Sequence, residues 1–247
     1  MTQKRVVLVT GGMGGLGETI CTKMADAGYK VAATYSPGNK THDDWVAQMK
    51  KRGYDVLAVP CDVADYDSCQ ACVAKIQADV GPVEILVNNA GITRDMTFKK
   101  MSKPDWDAVM HTNLDSVFNM TKPVCDGMVD RGWGRIINVS SVNGSKGAFG
   151  QTNYSAAKAG MHGFSKALAQ EVVKKGVTVN TISPGYVETD MVRAIKPEVL
   201  NAIIDQIPMG RLAQPEEVAG LIAYLASEEA SYITGANISI NGGLHMN

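Results

Sequence analysis

The chain has 247 residues, 45% of them hydrophobic and 20% charged, which is enough for a sizeable globular core. Lys and Arg number 24 against 25 Asp and Glu, so the net charge of −1 leaves no basic footprint for nucleic acid. No early apolar run is long enough for a signal segment or a membrane span, and a soluble cytoplasmic protein is expected.

Short β-branched runs alternate with longer stretches of helical period. Strands are expected at 5–10, 30–35, 55–61, 83–88, 134–140, 177–183 and 236–240. Helices are expected at 15–28, 41–52, 66–80, 104–131, 152–175, 189–206 and 215–227. Val6–Val9 and Ile85–Val87 are apolar throughout, as in strands buried on both faces of a parallel sheet. Repeated βα units imply an α/β, doubly wound Rossmann-type fold. The expectation is one domain over 1–247, with a seven-stranded parallel sheet and helices on both faces. Lys196-Pro197 and Ile207-Pro208 interrupt the stretch 189–210, which reads as a helical insertion and a substrate lid.

Glycine is in excess, with 25 residues. Five of them, Gly11, Gly12, Gly14, Gly15 and Gly17, crowd the turn between the first strand and first helix. Backbone cleared of side chains there, at a positive helix end, suits a dinucleotide diphosphate. A tight turn without a ligand is the alternative. At the end of the second strand, Ala33-Thr34-Tyr35-Ser36 carries no carboxylate to repel a ribose phosphate, and Lys40 follows. This leans the site towards NADPH. Asp62, ending the third strand, is placed for the adenine amino group or for capping the next turn. Cys69 and Cys72 form a C-x-x-C in a helical stretch with no second pair, so packing is expected and no metal site. The odd count of five cysteines argues against a disulfide framework. Asn88-Asn89-Ala90-Gly91 ends the fourth strand, where ligands bind in such sheets.

Tyr154 and Lys158 are one helical turn apart, so an ammonium can lower the phenol pKa. Ser140-Ser141 ends the fifth strand beside them, where a hydroxyl can bond a ketone oxygen. Asn113 in the long fourth helix is either a water holder near Lys158 or an amide bonded to backbone.

Together these residues resemble the short-chain dehydrogenase/reductase family. Thr10-Gly11-x-x-x-Gly15-x-Gly17, Asn88-Asn89-Ala90-Gly91, Asn113, Ser141, Tyr154-x-x-x-Lys158 and Pro184-Gly185 match in order and spacing over essentially the whole chain. The resemblance implies that Tyr154 is the acid/base, Ser141 the carbonyl polariser, Lys158 the tuner and ribose binder, and Asn113 the water holder. It implies coenzyme contacts from Gly11, Met13, Gly14, Gly15, Leu16, Gly17, Ser36, Lys40, Asp62, Val63, Asn89, Ala90, Gly91, Tyr154, Lys158, Pro184, Gly185 and Val187.

Further segments, Gly91–Asp95, Asp130–Arg135, Ser141–Gly144, Phe149–Tyr154 and Asn241–Met246, are similar to the bacterial branch of the family that reduces acetoacetyl-CoA for polyhydroxybutyrate synthesis. That likeness implies an acyl-CoA thioester substrate held by Asp95, Ser141, Phe149, Gln151, Tyr154, Gly185, Tyr186 and Lys196, and a homotetramer. Thr41 and His42 stand where NADPH-preferring relatives carry arginines, so NADH is the alternative coenzyme. The branch that reduces 3-oxoacyl groups on acyl-carrier protein is the alternative function. A non-catalytic dinucleotide-binding protein is a third reading, against which the full Ser141, Tyr154, Lys158 and Asn113 set argues.

Overall fold

The computed structural model describes residues 4–189, 192 and 196–246. Seven parallel strands form one sheet: β1 (Val6–Val9), β2 (Lys30–Tyr35), β3 (Val56–Pro60), β4 (Val83–Asn88), β5 (Gly134–Val139), β6 (Val177–Pro184) and β7 (Asn237–Ile240). Their order is β3-β2-β1-β4-β5-β6-β7. The chain runs outward from β1 to β3, then returns to β4 on the other side of β1. The carboxyl ends of β1 and β4 therefore flank a switch point, the usual crevice for a ligand in such sheets.

Strand pleat explains the two cores. Val7 and Val9 face one side with α1 (Gly15–Asp26), α2 (His42–Lys51) and, late in the chain, α9 (Pro215–Ala226). Val6 and Leu8 face the other side with α3 (Tyr66–Asp79), α5 (Ser116–Arg131) and α7 (Thr152–Val172). All four β1 residues are buried, so the run cannot alternate in polarity. The helices that cover these faces are amphipathic; α3, for example, buries Cys69, Cys72, Val73 and Ile76 at helical spacing.

The helix expected at 104–131 is broken. It runs as α4 (Lys103–Met110), a π turn over His111–Asp115, and then α5. A short helix, α6 (Val142–Lys146), follows β5 and was absent from the sequence reading, because five residues are too few to carry a period. In the expected helix 189–206 the described helix is α8 (Pro197–Ile204); residues 190, 191 and 193–195 of the expected lid lie outside the described residues. Among the described residues no helix is long and apolar enough to cross a membrane.

Candidate active site

The first turn is tied down by buried hydrogen bonds. The Thr10 hydroxyl accepts from the backbone N–H of Asn89 at 2.9 Å and of Ala90 at 3.0 Å. The Asn89 side-chain amide donates to the Thr10 carbonyl at 3.0 Å. The Thr34 hydroxyl accepts from the Gly11 N–H at 3.1 Å. The ends of β1, β2 and β4 thus hold one another, and the glycine turn is fixed between them.

Its glycines serve two purposes. A Cβ on Gly17 would lie 2.2 Å from the Gly11 carbonyl oxygen, and one on Gly12 would lie 2.7 Å from the Ala33 Cβ. Packing requires both, and Gly17 also lines the cleft. A Cβ on Gly14 would meet no protein atom nearer than 3.8 Å and would project into the cleft. The helix α1 that begins there has no side-chain N-cap bond, so its first N–H groups suit an anion.

A cleft of about 720 Å³ opens over this turn. Gly11, Met13, Gly14, Gly15, Leu16, Gly17, Ser36, Asp62, Val63, Asn89, Ala90 and Gly91 all line it, together with Thr34, Tyr35, Asn39, Cys61, Ile92, Thr112 and Thr189, which the sequence reading did not assign as coenzyme contacts. Tyr35 and Cys61 lie at strand ends and were findable by that rule; Asn39 lies in an irregular turn and gave no signal. Lys40 is exposed and outside the lining. Asp62 lies two residues beyond β3 rather than ending it, and one carboxylate oxygen accepts from the Ala64 N–H at 3.0 Å. It therefore shapes the turn while its side chain borders the cleft.

A second chamber of about 250 Å³ shares Leu16, Asn89, Gly91, Ile92 and Thr189 with the first, so the two form one continuous cleft. Its walls bring together Ser141, Tyr154, Lys158, Pro184, Gly185 and Val187. Ser141 is the N-cap of α6, its hydroxyl accepting from the Asn143 N–H at 3.1 Å. Tyr154 and Lys158 lie one turn apart on α7. Lys158 is buried, its Nζ donates to the Val139 carbonyl at 2.8 Å, and it sits 5.5 Å from the Tyr154 ring centre. The π turn presents Asn113 inward. Its oxygen accepts from the Ile92 N–H at 2.7 Å and its nitrogen donates to the Ile92 carbonyl at 2.8 Å. A Cβ on Gly91 would lie 3.0 Å from the Asn113 oxygen and 3.5 Å from the Lys158 Nζ, so both side chains converge there. The amide is bonded to backbone and also adjoins Lys158.

Burial lowers the Lys158 ammonium to about 8. It raises the Tyr154 phenol; a hydrogen bond from Ser141 opposes that, and the Asp95 charge adds to it. The sequence reading expected Lys158 to depress this phenol. Desolvation is the largest influence on this phenol, and the net shift is upward.

Two loops border the chamber. Met96 N–H donates to the Gly150 carbonyl at 2.8 Å, and Gln151 donates to the Asp95 carboxylate at 2.7 Å. Asn143 donates to the Gln151 oxygen at 2.9 Å, which links Asp95 and Gln151 to the Ser141 turn. Asn143 lies in the Ser141–Gly144 segment of the sequence resemblance but was assigned no role there. Five expected substrate residues line neither chamber: Asp95 and Gln151, which stand behind the Ser141 turn, and three that lie farther off. Phe149 is 94% exposed at the tip of its loop. Tyr186 lines a separate cavity of about 170 Å³ with Gly185, Ile207 and Met209. Lys196 is exposed at the start of α8 and lines neither chamber.

A doubly wound parallel sheet, an uncapped glycine-cleared helix end at its switch point, and an acid hydroxyl in the adjoining chamber define a dinucleotide-binding type of protein. The family model for short chain dehydrogenase matches residues 5–200, and the chain belongs to that family. It is 57% identical to an acetoacetyl-CoA reductase of Cupriavidus necator over 246 residues, covering 100% of each chain. It is 57% identical to nodulation protein G of Azospirillum brasilense, covering 99% of each. A 3-oxoacyl-acyl-carrier-protein reductase of Vibrio cholerae is 44% identical, covering 98% of each.

Proposed function

We propose that the protein reduces acetoacetyl-CoA to (R)-3-hydroxybutanoyl-CoA with a nicotinamide coenzyme, for polyhydroxybutyrate synthesis. The observation that carries this reading is the meeting of Ser141, Tyr154 and Lys158 in a chamber continuous with the glycine-turn cleft. The substrate follows from the 57% identity to the Cupriavidus necator acetoacetyl-CoA reductase, against 44% for the carrier-protein reductase.

In this reading Gly11, Met13, Gly14, Gly15, Leu16 and Gly17 hold the coenzyme diphosphate. Ser36 lies at the ribose, Asp62 and Val63 at the adenine, and Asn89, Ala90, Gly91, Pro184, Gly185 and Val187 towards the nicotinamide. A nicotinamide coenzyme held by these residues would supply the hydride for the ketone carbon. Ser141 donates a hydrogen bond to the ketone oxygen and fixes its position. Tyr154 gives that oxygen its proton, a step for which a protonated phenol is the right starting state. Lys158 stabilises the phenolate left behind and holds the ribose. Asn113 anchors Ile92 and offers the second lone pair of its oxygen to a water beside Lys158. Asp95 and Gln151 border the acyl group, and the exposed Phe149, Tyr186 and Lys196 are left for the CoA arm. Residues 189–210 act as a lid within a single catalytic domain.

The lean towards NADPH rested partly on Lys40, which is outside the cleft lining. None of the lining side chains at the adenosine end is a cation, which favours NADH as the second reading. We place the enzyme in the cytoplasm as a homotetramer, checked by light scattering. The deciding assay compares kcat/KM for acetoacetyl-CoA and acetoacetyl carrier protein, each with NADPH and NADH. At least a tenfold preference for the CoA ester is expected; a preference for the carrier protein transfers the function to fatty-acid synthesis.

A further inference from the structure

The C-x-x-C of α3 has a third partner. Cys61, just after β3, places its Sγ 3.9 Å from that of Cys69, and Cys72 adjoins the same sulfur. All three thiols are buried, yet Cys61 belongs to the lining of the larger cleft, between Tyr35 and Asp62. The Cys69 thiol also points at the Asp62 and Val63 carbonyls, at 3.7 and 3.6 Å. Among the described residues no His, Cys, Asp or Glu group is arranged to hold a metal ion.

We propose that Cys61 and Cys69 form a reversible disulfide when a peroxide enters the cleft, and that this oxidation weakens coenzyme binding. The proposal rests on the reading of that cleft as the coenzyme site. Cys61 lines the cleft and Cys69 and Cys72 do not, which makes Cys61 the sulfur a peroxide reaches first; its thiol and hydroxyl neighbours Cys69, Cys72 and Ser68 also favour its thiolate. The Cys61 thiolate attacks one peroxide oxygen; an S–O bond forms, the O–O bond breaks and hydroxide leaves, giving a sulfenic acid. Cys69 then attacks the Cys61 sulfur. An S–S bond forms, the S–O bond breaks, and the departing hydroxide takes the Cys69 proton as water. A dithiol reductant reverses the change by thiol–disulfide exchange.

A disulfide needs sulfurs about 2.05 Å apart, so the two sulfurs must approach by roughly 2 Å, through rotation of both side chains and adjustment of the loop after β3. Asp62 and Val63 lie between the two cysteines and line the cleft, so this adjustment moves its adenosine end.

The full-length protein is treated with hydrogen peroxide and followed by intact mass, peptide mapping and coenzyme titration by intrinsic fluorescence. Expected results are the loss of two hydrogens, a Cys61–Cys69 linked peptide and at least fivefold weaker coenzyme binding, all reversed by dithiothreitol. Cys69→Ser should abolish the link and Cys72→Ser should preserve it. Saturating coenzyme should slow the linkage at least tenfold. No link, or a Cys69–Cys72 link instead, overturns the proposal. A Cys61–Cys69 link that forms equally fast under saturating coenzyme leaves the thiol chemistry standing, and overturns the coupling together with the reading of that cleft end.

Discussion

Lys158 carries the sharpest consequence of burial. Its ammonium sits inside the protein with the Val139 carbonyl as partner, and its pKa falls to about 8 from an ordinary 10.5. Because the folded value is the lower one, the unfolded chain binds more protons between about pH 8 and 10.5. The cost of burying the charge is fully present below pH 8 and is relieved as pH rises through that window. In the proposed mechanism catalysis moves the opposite way, since a phenolate left on Tyr154 would need the ammonium. We expect kcat/KM for ketone reduction to fall above about pH 8, measured as a pH–rate profile. Lys158→Met should lose at least a hundredfold in turnover while its melting temperature at pH 7 stays level or rises; a large drop in melting temperature would contradict the burial argument. That Ser141, Tyr154 and Lys158 meet in one chamber was legible in the sequence, because their order and spacing are local features. The direction of the Tyr154 shift was not, because desolvation depends on what packs around the ring.

At the scale of elements, the glycine turn separates two reasons for the same residue. Gly17 has the Gly11 carbonyl oxygen 2.2 Å from where a Cβ would stand, whereas Gly14 has open cleft. Gly17→Ala should therefore lower the melting temperature and weaken coenzyme binding together, at a cost of about 1–3 kcal/mol. Gly14→Ala should keep the melting temperature within a degree or two and weaken coenzyme binding alone. Thermal unfolding and coenzyme titration on the two variants check this, and equal melting temperatures would contradict it. The sequence showed the cluster but could not apportion it, since the crowding atoms come from Ala33 in β2 and from the turn itself. The π turn at His111–Asp115 was likewise invisible: the apolar period continues through it, and only the inward Asn113 marks the extra residue. Substituting Asn113→Ala leaves the Ile92 N–H and carbonyl without their partners, so activity and stability should fall together, by about 1–3 kcal/mol in stability.

Over the whole molecule, one topological fact arranges the chemistry. The chain returns across β1 to reach β4, and the switch point gathers the ends of β1, β2, β3 and β4 under the larger chamber. The ends of β5 and β6, with α7, supply the smaller one. This architecture was readable from βα alternation and from apolar runs such as Val6–Val9. The places of Phe149, Tyr186 and Lys196 were not, because they sit on loops or helix ends whose placement no periodicity sets. The most direct test is the initial rate of acetoacetyl-CoA-dependent coenzyme oxidation by the wild-type protein and by Tyr154→Phe, with coenzyme affinity measured on both. Ready turnover by the wild type, lost by about a thousandfold in the variant at unchanged affinity, is the expected result. A wild type without turnover on acetoacetyl-CoA, or a variant near the wild-type rate, would contradict it.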